Sequence, residues 1–142
     1  VTRVVDVPGH MEVDPDSNWL YVADSGGNRV IRVDVTSGSH SRDLNAYGER
    51  LDEYSLYTGA TVEEFVTGLS TPSGLTIADG RLFVGEFGTG TVRAYDLASG
   101  AELGSMETTQ VGLTGIAVSA AGELWYVDSA SDRLFRVDPG TE

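Results

Sequence analysis

The side chains available for metal or nucleophilic chemistry are few. The chain has two histidines and no cysteine. His10 stands in the string Pro8-Gly9-His10-Met11-Glu12-Val13. An imidazole there can ligate a divalent metal, zinc above all, or move a proton. A zinc site takes three or four protein ligands, so His10 would need partners from elsewhere. The other reading is a hydrogen-bonded structural histidine. Asp14, Asp16 and Asn18 alternate like the opening of a calcium loop. Trp19 and Ser25 then stand where such a loop needs a glycine and a bidentate glutamate, so a turn is the expected role. His40 has no evident partner in the sequence and is expected to be solvated. Ser and Asp are plentiful, but no serine sits in a pattern that supplies an oriented base. The catalytic residues therefore stay unassigned.

The elements that must position these residues come from an internal repeat. Trp19-Leu20-Tyr21-Val22-Ala23-Asp24 aligns with Arg81-Leu82-Phe83-Val84-Gly85-Glu86 and with Glu123-Leu124-Trp125-Tyr126-Val127-Asp128. Each string is followed ten residues later by a second acid, at Asp34, Asp96 and Asp138. Gly74 and Gly115 are 41 residues apart, as are Gly59 and Gly100. Apolar runs of four to six residues, rich in Val, Tyr, Phe and Trp and bounded by Gly, Asp and Ser, read as strands. Short strands repeating at about 40 residues are the mark of a β-propeller, one blade per period. Because Asp24, Glu86 and Asp128 recur at one place in the repeat, a structural role is expected for them. Trp19, Phe83, Trp125 and Phe135 are expected between blades.

The expected fold is all-β, a single partial propeller domain over 1–142. It comprises three four-stranded blades at about 8–67, 72–107 and 113–140. Inner strands are expected at 10–14, 74–78 and 115–118, second strands at 19–24, 81–86 and 123–128, and third strands at 28–34, 91–96 and 133–137. Outer strands fit 61–67 and 101–107. No outer strand follows in the third blade before Glu142, yet Thr2–Val7 forms a spare strand at the front. From Gly9 to Ser73 is 64 residues, which leaves an insertion near 39–56, expected as a loop between strands three and four of the first blade. Propellers have four to eight blades. Three blades are therefore expected to be half of a six-bladed ring, completed by another copy of the chain or by a complementary propeller fragment.

Composition narrows the partners. The formal charge is −13, with 22 acidic residues against nine basic ones, all of them Arg. Such a surface repels phosphates, so neither nucleic acid nor an anionic membrane is an expected partner. No apolar run approaches the roughly 20 residues of a membrane-spanning helix.

Tyr21-Val22-Ala23-Asp24-Ser25-Gly26-Gly27-Asn28-Arg29-Val30 resembles the NHL repeat, as does Trp125-Tyr126-Val127-Asp128-Ser129-Ala130-Ser131-Asp132-Arg133-Leu134. The middle repeat departs from it, with Gly90-Thr91 in place of Asn-Arg. The resemblance implies a propeller in which Asn28 and Asp132 open a strand after a tight turn and Arg29 and Arg133 pair with a nearby carboxylate. A secreted or periplasmic location also follows from it. His10 and its flanks are similar to the channel histidine of peptidyl-hydroxyglycine amidating lyases, NHL-type propellers with channel-bound zinc. That similarity implies zinc or another divalent metal in the central channel, with His10 among its ligands. Two functions follow. The leading one is a binding and assembly module completed by a second chain. The alternative is a metal-dependent lyase or hydrolase.

Overall fold

The computed structural model describes residues 9–43, 55–108 and 111–137, and every regular element in them is a β-strand. The first sheet is built from β1 (Met11–Val13), β2 (Trp19–Asp24), β3 (Arg29–Asp34) and β6 (Val62–Thr67), antiparallel in that order. The second runs from β7 (Pro72–Ala78) through β8 (Arg81–Glu86) and β9 (Thr91–Asp96) to β10 (Glu102–Glu107). The third holds β11 (Leu113–Val118), β12 (Leu124–Asp128) and β13 (Arg133–Val137). Each strand expected within these residues is present, with ends shifted by one or two positions. The spare strand expected at Thr2–Val7 lies outside the described residues.

The insertion is more ordered than the expected loop. Its described parts form a hairpin of β4 (Ser39–Asp43) and β5 (Ser55–Thr58), between β3 and β6 in the chain. The sequence hid this because Ser39-His40-Ser41-Arg42-Asp43 is polar at every position and exposed throughout. It carries no apolar alternation of the kind that marks a half-buried strand. Residues 44–54 lie outside the described set.

Turn chemistry explains the connections. Just before each third strand, one residue adopts a left-handed backbone: Asn28 at φ 53°, Gly90 at 70° and Asp132 at 55°. Asn, Asp and Gly are the residues that tolerate this conformation. Gly90 therefore fills the same physical role as Asn28, although it breaks the sequence pattern. Asp79 and Gly80, at φ 51° and 70°, make the two-residue turn between β7 and β8. At the ends of β3 and β9, Asp34 Oδ1 accepts the Thr36 amide at 2.9 Å and Asp96 Oδ1 accepts the Ser99 amide at 2.8 Å. The Thr36 and Ser99 hydroxyls, foremost, and these amides hold both carboxyls below the usual carboxylate range.

Period two along each strand sends alternate side chains to opposite sheet faces. Trp19, Tyr21 and Ala23 share one face of the first sheet with Val30. They pack against Leu75, Leu82, Val84 and Tyr95 of the second sheet. The opposite face of the second sheet, with Phe83, Val92 and Met106, packs against Ile116, Tyr126 and Phe135 of the third. Each core thus lies between consecutive sheets. Leu75, Leu82 and Val84 are fully buried, and each contributes about 1.5–3 kcal/mol of burial.

The inner strands meet most closely at Gly74. A Cβ there would stand 3.0 Å from the Ile116 nitrogen and 3.3 Å from the Gly115 Cα, both backbone atoms that cannot rotate away. Gly74→Ala is expected to lower stability by about 1–3 kcal/mol, the usual cost of overpacking, as read from urea unfolding. The two aspartate turns set an acid dependence. Their folded pKa values lie below the ordinary 3.8, so their stabilisation is present above that value and is lost as pH falls through the lowered folded values. The double variant Asp34→Asn with Asp96→Asn is expected to melt below the parent at pH 7, and the gap is expected to close on acidification.

Candidate functional site

The three recurring acids at the ends of β2, β8 and β12 are all buried. Asp24 Oδ1 accepts the Gly27 amide at 2.9 Å, and Oδ2 accepts Arg29 Nε at 2.7 Å. Arg29 also pairs with Glu64 on β6. Glu86 Oε1 accepts the Ser70 amide at 2.9 Å, while Oε2 accepts the Thr89 hydroxyl at 2.8 Å and lies 3.4 Å from Arg93 Nε. Asp128 is held by the Ala130 amide at 3.0 Å and by the Ser131 hydroxyl. These carboxylates are spent on closing their turns, because a buried charge must be bonded to persist. The middle repeat has Thr91 where Arg29 stands, and Arg93, two residues on and thus on the same strand face, supplies the cation instead. Arg29 pairs as expected. No ion pair of Arg133 is found among the described residues.

His10 opens the inner strand of the first sheet, with its side chain exposed. Its Nδ1 accepts the Leu75 amide at 3.1 Å, and its own amide donates to Ser73 O at 3.2 Å. A backbone N–H can only donate, so Nδ1 must carry the lone pair. In the neutral ring the proton is then on Nε2. Ligation through Nε2 would require the other tautomer and would set two N–H groups against each other. Among the described residues, no three His, Cys, Asp or Glu side chains group as metal ligands.

The remaining sequence candidates fall into place separately. Asp14 accepts the Asp16 amide at 3.1 Å and the Ser17 hydroxyl at 2.6 Å, closing the turn between β1 and β2. His40 is exposed but not simply solvated. Its Nε2 lies 2.8 Å from Asp43 Oδ1, and its ring meets Tyr57 edge-on at 5.8 Å. The hydrogen bond from His40 is the main cause that holds the Asp43 carboxyl down. Ser55 Oγ also donates to Asp43, at 3.1 Å, so the carboxylate stands between serine and histidine and the imidazole does not bond the hydroxyl. A hollow of about 510 Å³ between the first two sheets contains Asp14, Trp19, Arg32 and Asp96. Its charges are committed as well, since Arg32 bonds Glu63 at 2.7 Å and covers the Trp19 ring at 4.3 Å. Tyr95 is pushed up to about 12, chiefly by burial, which keeps this phenol neutral.

What stands uncommitted is apolar surface. Met11, Val13, Leu20, Val22, Ile31 and Val33 occupy one face of the first sheet by register. Met11 and Val13 are 56% and 55% exposed, whereas Leu75 and Ile116, at the place of Met11 in the other two sheets, are 0% and 6% exposed. At the far end of the array, Gly115, Ala117, Trp125, Val127 and Leu134 line an open hollow of about 220 Å³ on the third sheet. Trp19, Phe83 and Phe135 pack between sheets as expected. Trp125 differs, lying on this free face. These two faces are the candidate site. Sequence reasoning missed their extent because a strand pattern does not say which face has a neighbour.

No protein-family model and no curated protein matches the sequence. Among solved structures, the chain is similar to Kuenenia stuttgartiensis hydrazine synthase, at 18% identity and TM-score 0.55 over 91% of this chain and 34% of that one. It is similar to Myxococcus xanthus glutaminyl cyclase, at 15% identity and TM-score 0.60 over 94% of this chain and 55% of that one. It is also similar to the computationally designed Ika4 protein, at 14% identity and TM-score 0.51 over 96% of this chain and 93% of that one. These likenesses show an all-β, propeller-type fold. The chain spans about a third of the hydrazine synthase chain and just over half of the glutaminyl cyclase chain.

His10→Ala removes the acceptor of the Leu75 amide and is expected to lower stability by about 1 kcal/mol. Added zinc is expected to leave the melting temperature of both proteins unchanged. A zinc-dependent rise in the parent, absent from His10→Ala, would instead identify His10 as a ligand.

Proposed function

We propose that this chain is an NHL-like β-propeller module for binding and assembly, its ring completed by a second chain. The carrying observation is that its two uncovered faces are the counterparts of faces that the repeat buries everywhere else. Leu75 and Ile116 are covered by the preceding sheet, and Met11 has no such cover among the described residues. An aliphatic face of this extent, edged by acids, is a strong association signal in water. Propellers have four to eight blades, and three sheets leave both ends of the array open. Two such units make a six-bladed ring. The NHL-like strings support the reading, because Asn28 and Asp132 hold the left-handed turn and Arg29 holds the buried Asp24.

The His10 hydrogen bond to Leu75 speaks for a structural histidine over a zinc ligand, and so for assembly over a metal-dependent lyase or hydrolase. Sedimentation equilibrium of the purified chain tests the reading. A mass above the single-chain 15.1 kDa is expected. A monomer at every concentration, with a melting temperature independent of concentration, would overturn it.

A further inference from the structure

We infer that the second chain is another copy of this one, joined head to tail, with Met11 of each copy seated over Gly115 and Val127 of the other. The inference rests on the assembly reading and adds the partner and the contact.

The repeat supplies the template. Counting back from the buried acid of each second strand, Leu75, Ile116 and Met11 hold one position, opposite Val84, Tyr126 and Val22 respectively. Where the third sheet meets the second, Ile116 is the knob, and Gly74 with Gly85 is its seat. A Cβ on Gly85 would come 3.1 Å from the Ile116 Cγ2. Gly115 with Val127 is the same seat on the third sheet, by register. A Cβ on Gly115 would meet nothing within 4 Å, so that seat is vacant where the Gly74 seat is filled. Among the described residues Met11 is the knob without a seat, and its unbranched side chain adapts to the larger Val127 in place of Gly85.

Charge fits the same arrangement. Arg32, opposite Tyr21 on the first sheet, shares a hollow with Asp96 of the second. Arg136, opposite Trp125, holds that place on the third sheet, and Asp34 is the counterpart of Asp96. A head-to-tail copy therefore brings Asp34 toward Arg136 while it covers Met11. Pairing of like faces could cover Met11 but would not bring Asp34 to Arg136. The rotation that closes two three-sheet units head to tail is a twofold, which ends growth at two chains rather than a filament.

Gly115 allows a clean test. No φ between +20° and +160° marks it, and nothing crowds it, so Gly115→Leu leaves the fold of one chain undisturbed. The chain has no cysteine, so introduced thiols are the only ones. Sedimentation is expected to give two chains for the parent and one chain for Gly115→Leu, with unchanged circular dichroism. On mild oxidation, Met11→Cys mixed with Gly115→Cys is expected to give a covalent pair, and neither variant alone is expected to give one. A parent that assembles while Gly115→Leu assembles equally, or while Met11→Cys bridges to itself, would overturn this contact and leave the assembly reading standing. A parent that sediments as one chain would remove the assembly reading and this inference together.

Discussion

At Gly74 the inner strands of two neighbouring sheets come so close that a Cβ would stand 3.0 Å from the Ile116 nitrogen and 3.3 Å from the Gly115 Cα. That approach sets the spacing of the second and third sheets where their inner strands meet. It brings Ile116 close enough to the second sheet to be covered by it. Phe83, Phe135 and Tyr126 fill the wider space away from Gly74, with Tyr126 and Phe135 stacked at 4.9 Å. The Ser73 hydroxyl crosses the same seam to Leu113 O, which ties the inner strands where they are closest.

The buried acids answer a second constraint. Each tight turn between second and third strands leaves amides turned inward, and these need acceptors. Asp24, Glu86 and Asp128 meet the need with different partners. Asp24 takes an amide and an arginine; Glu86, one carbon longer, reaches across to Ser70; Asp128 takes an amide and a hydroxyl. What the repeat preserves is a carboxylate at a place, not a fixed set of partners. This is why Arg93 can stand in for a missing Arg at Thr91 without changing the strand.

Much of this was legible in the sequence, and the limits have physical causes. Strands β2, β3, β8, β9, β12 and β13 could be read because each carries apolar residues that pack between the sheets. The β4–β5 hairpin could not, because Ser39–Asp43 buries nothing and so carries no pattern. The structural role of Asp24 was readable from its recurrence at Glu86 and Asp128. The partner of His40 was not, because Asp43 and Tyr57 meet it only through the hairpin register. The free faces were half legible. Their residues read as strand, but Trp125 looks the same in sequence whether a neighbour covers it or water does.

His10 draws these strands together. It occupies the place of Gly74, where the second junction crowds any side chain, and of Gly115, yet it is no misfit. Its imidazole turns out to the exposed side and receives the Leu75 amide, so the first junction is held by a side-chain acceptor. The second junction reaches the same end by bare backbone contact at Gly74. Two solutions to one geometric problem therefore already exist within a single chain. Gly115 has the residue type of the second solution and none of its contact. Among the described residues, a Cβ on Gly115 would meet nothing at one end of the array, and Met11 is exposed at the other, where its counterparts Leu75 and Ile116 are buried.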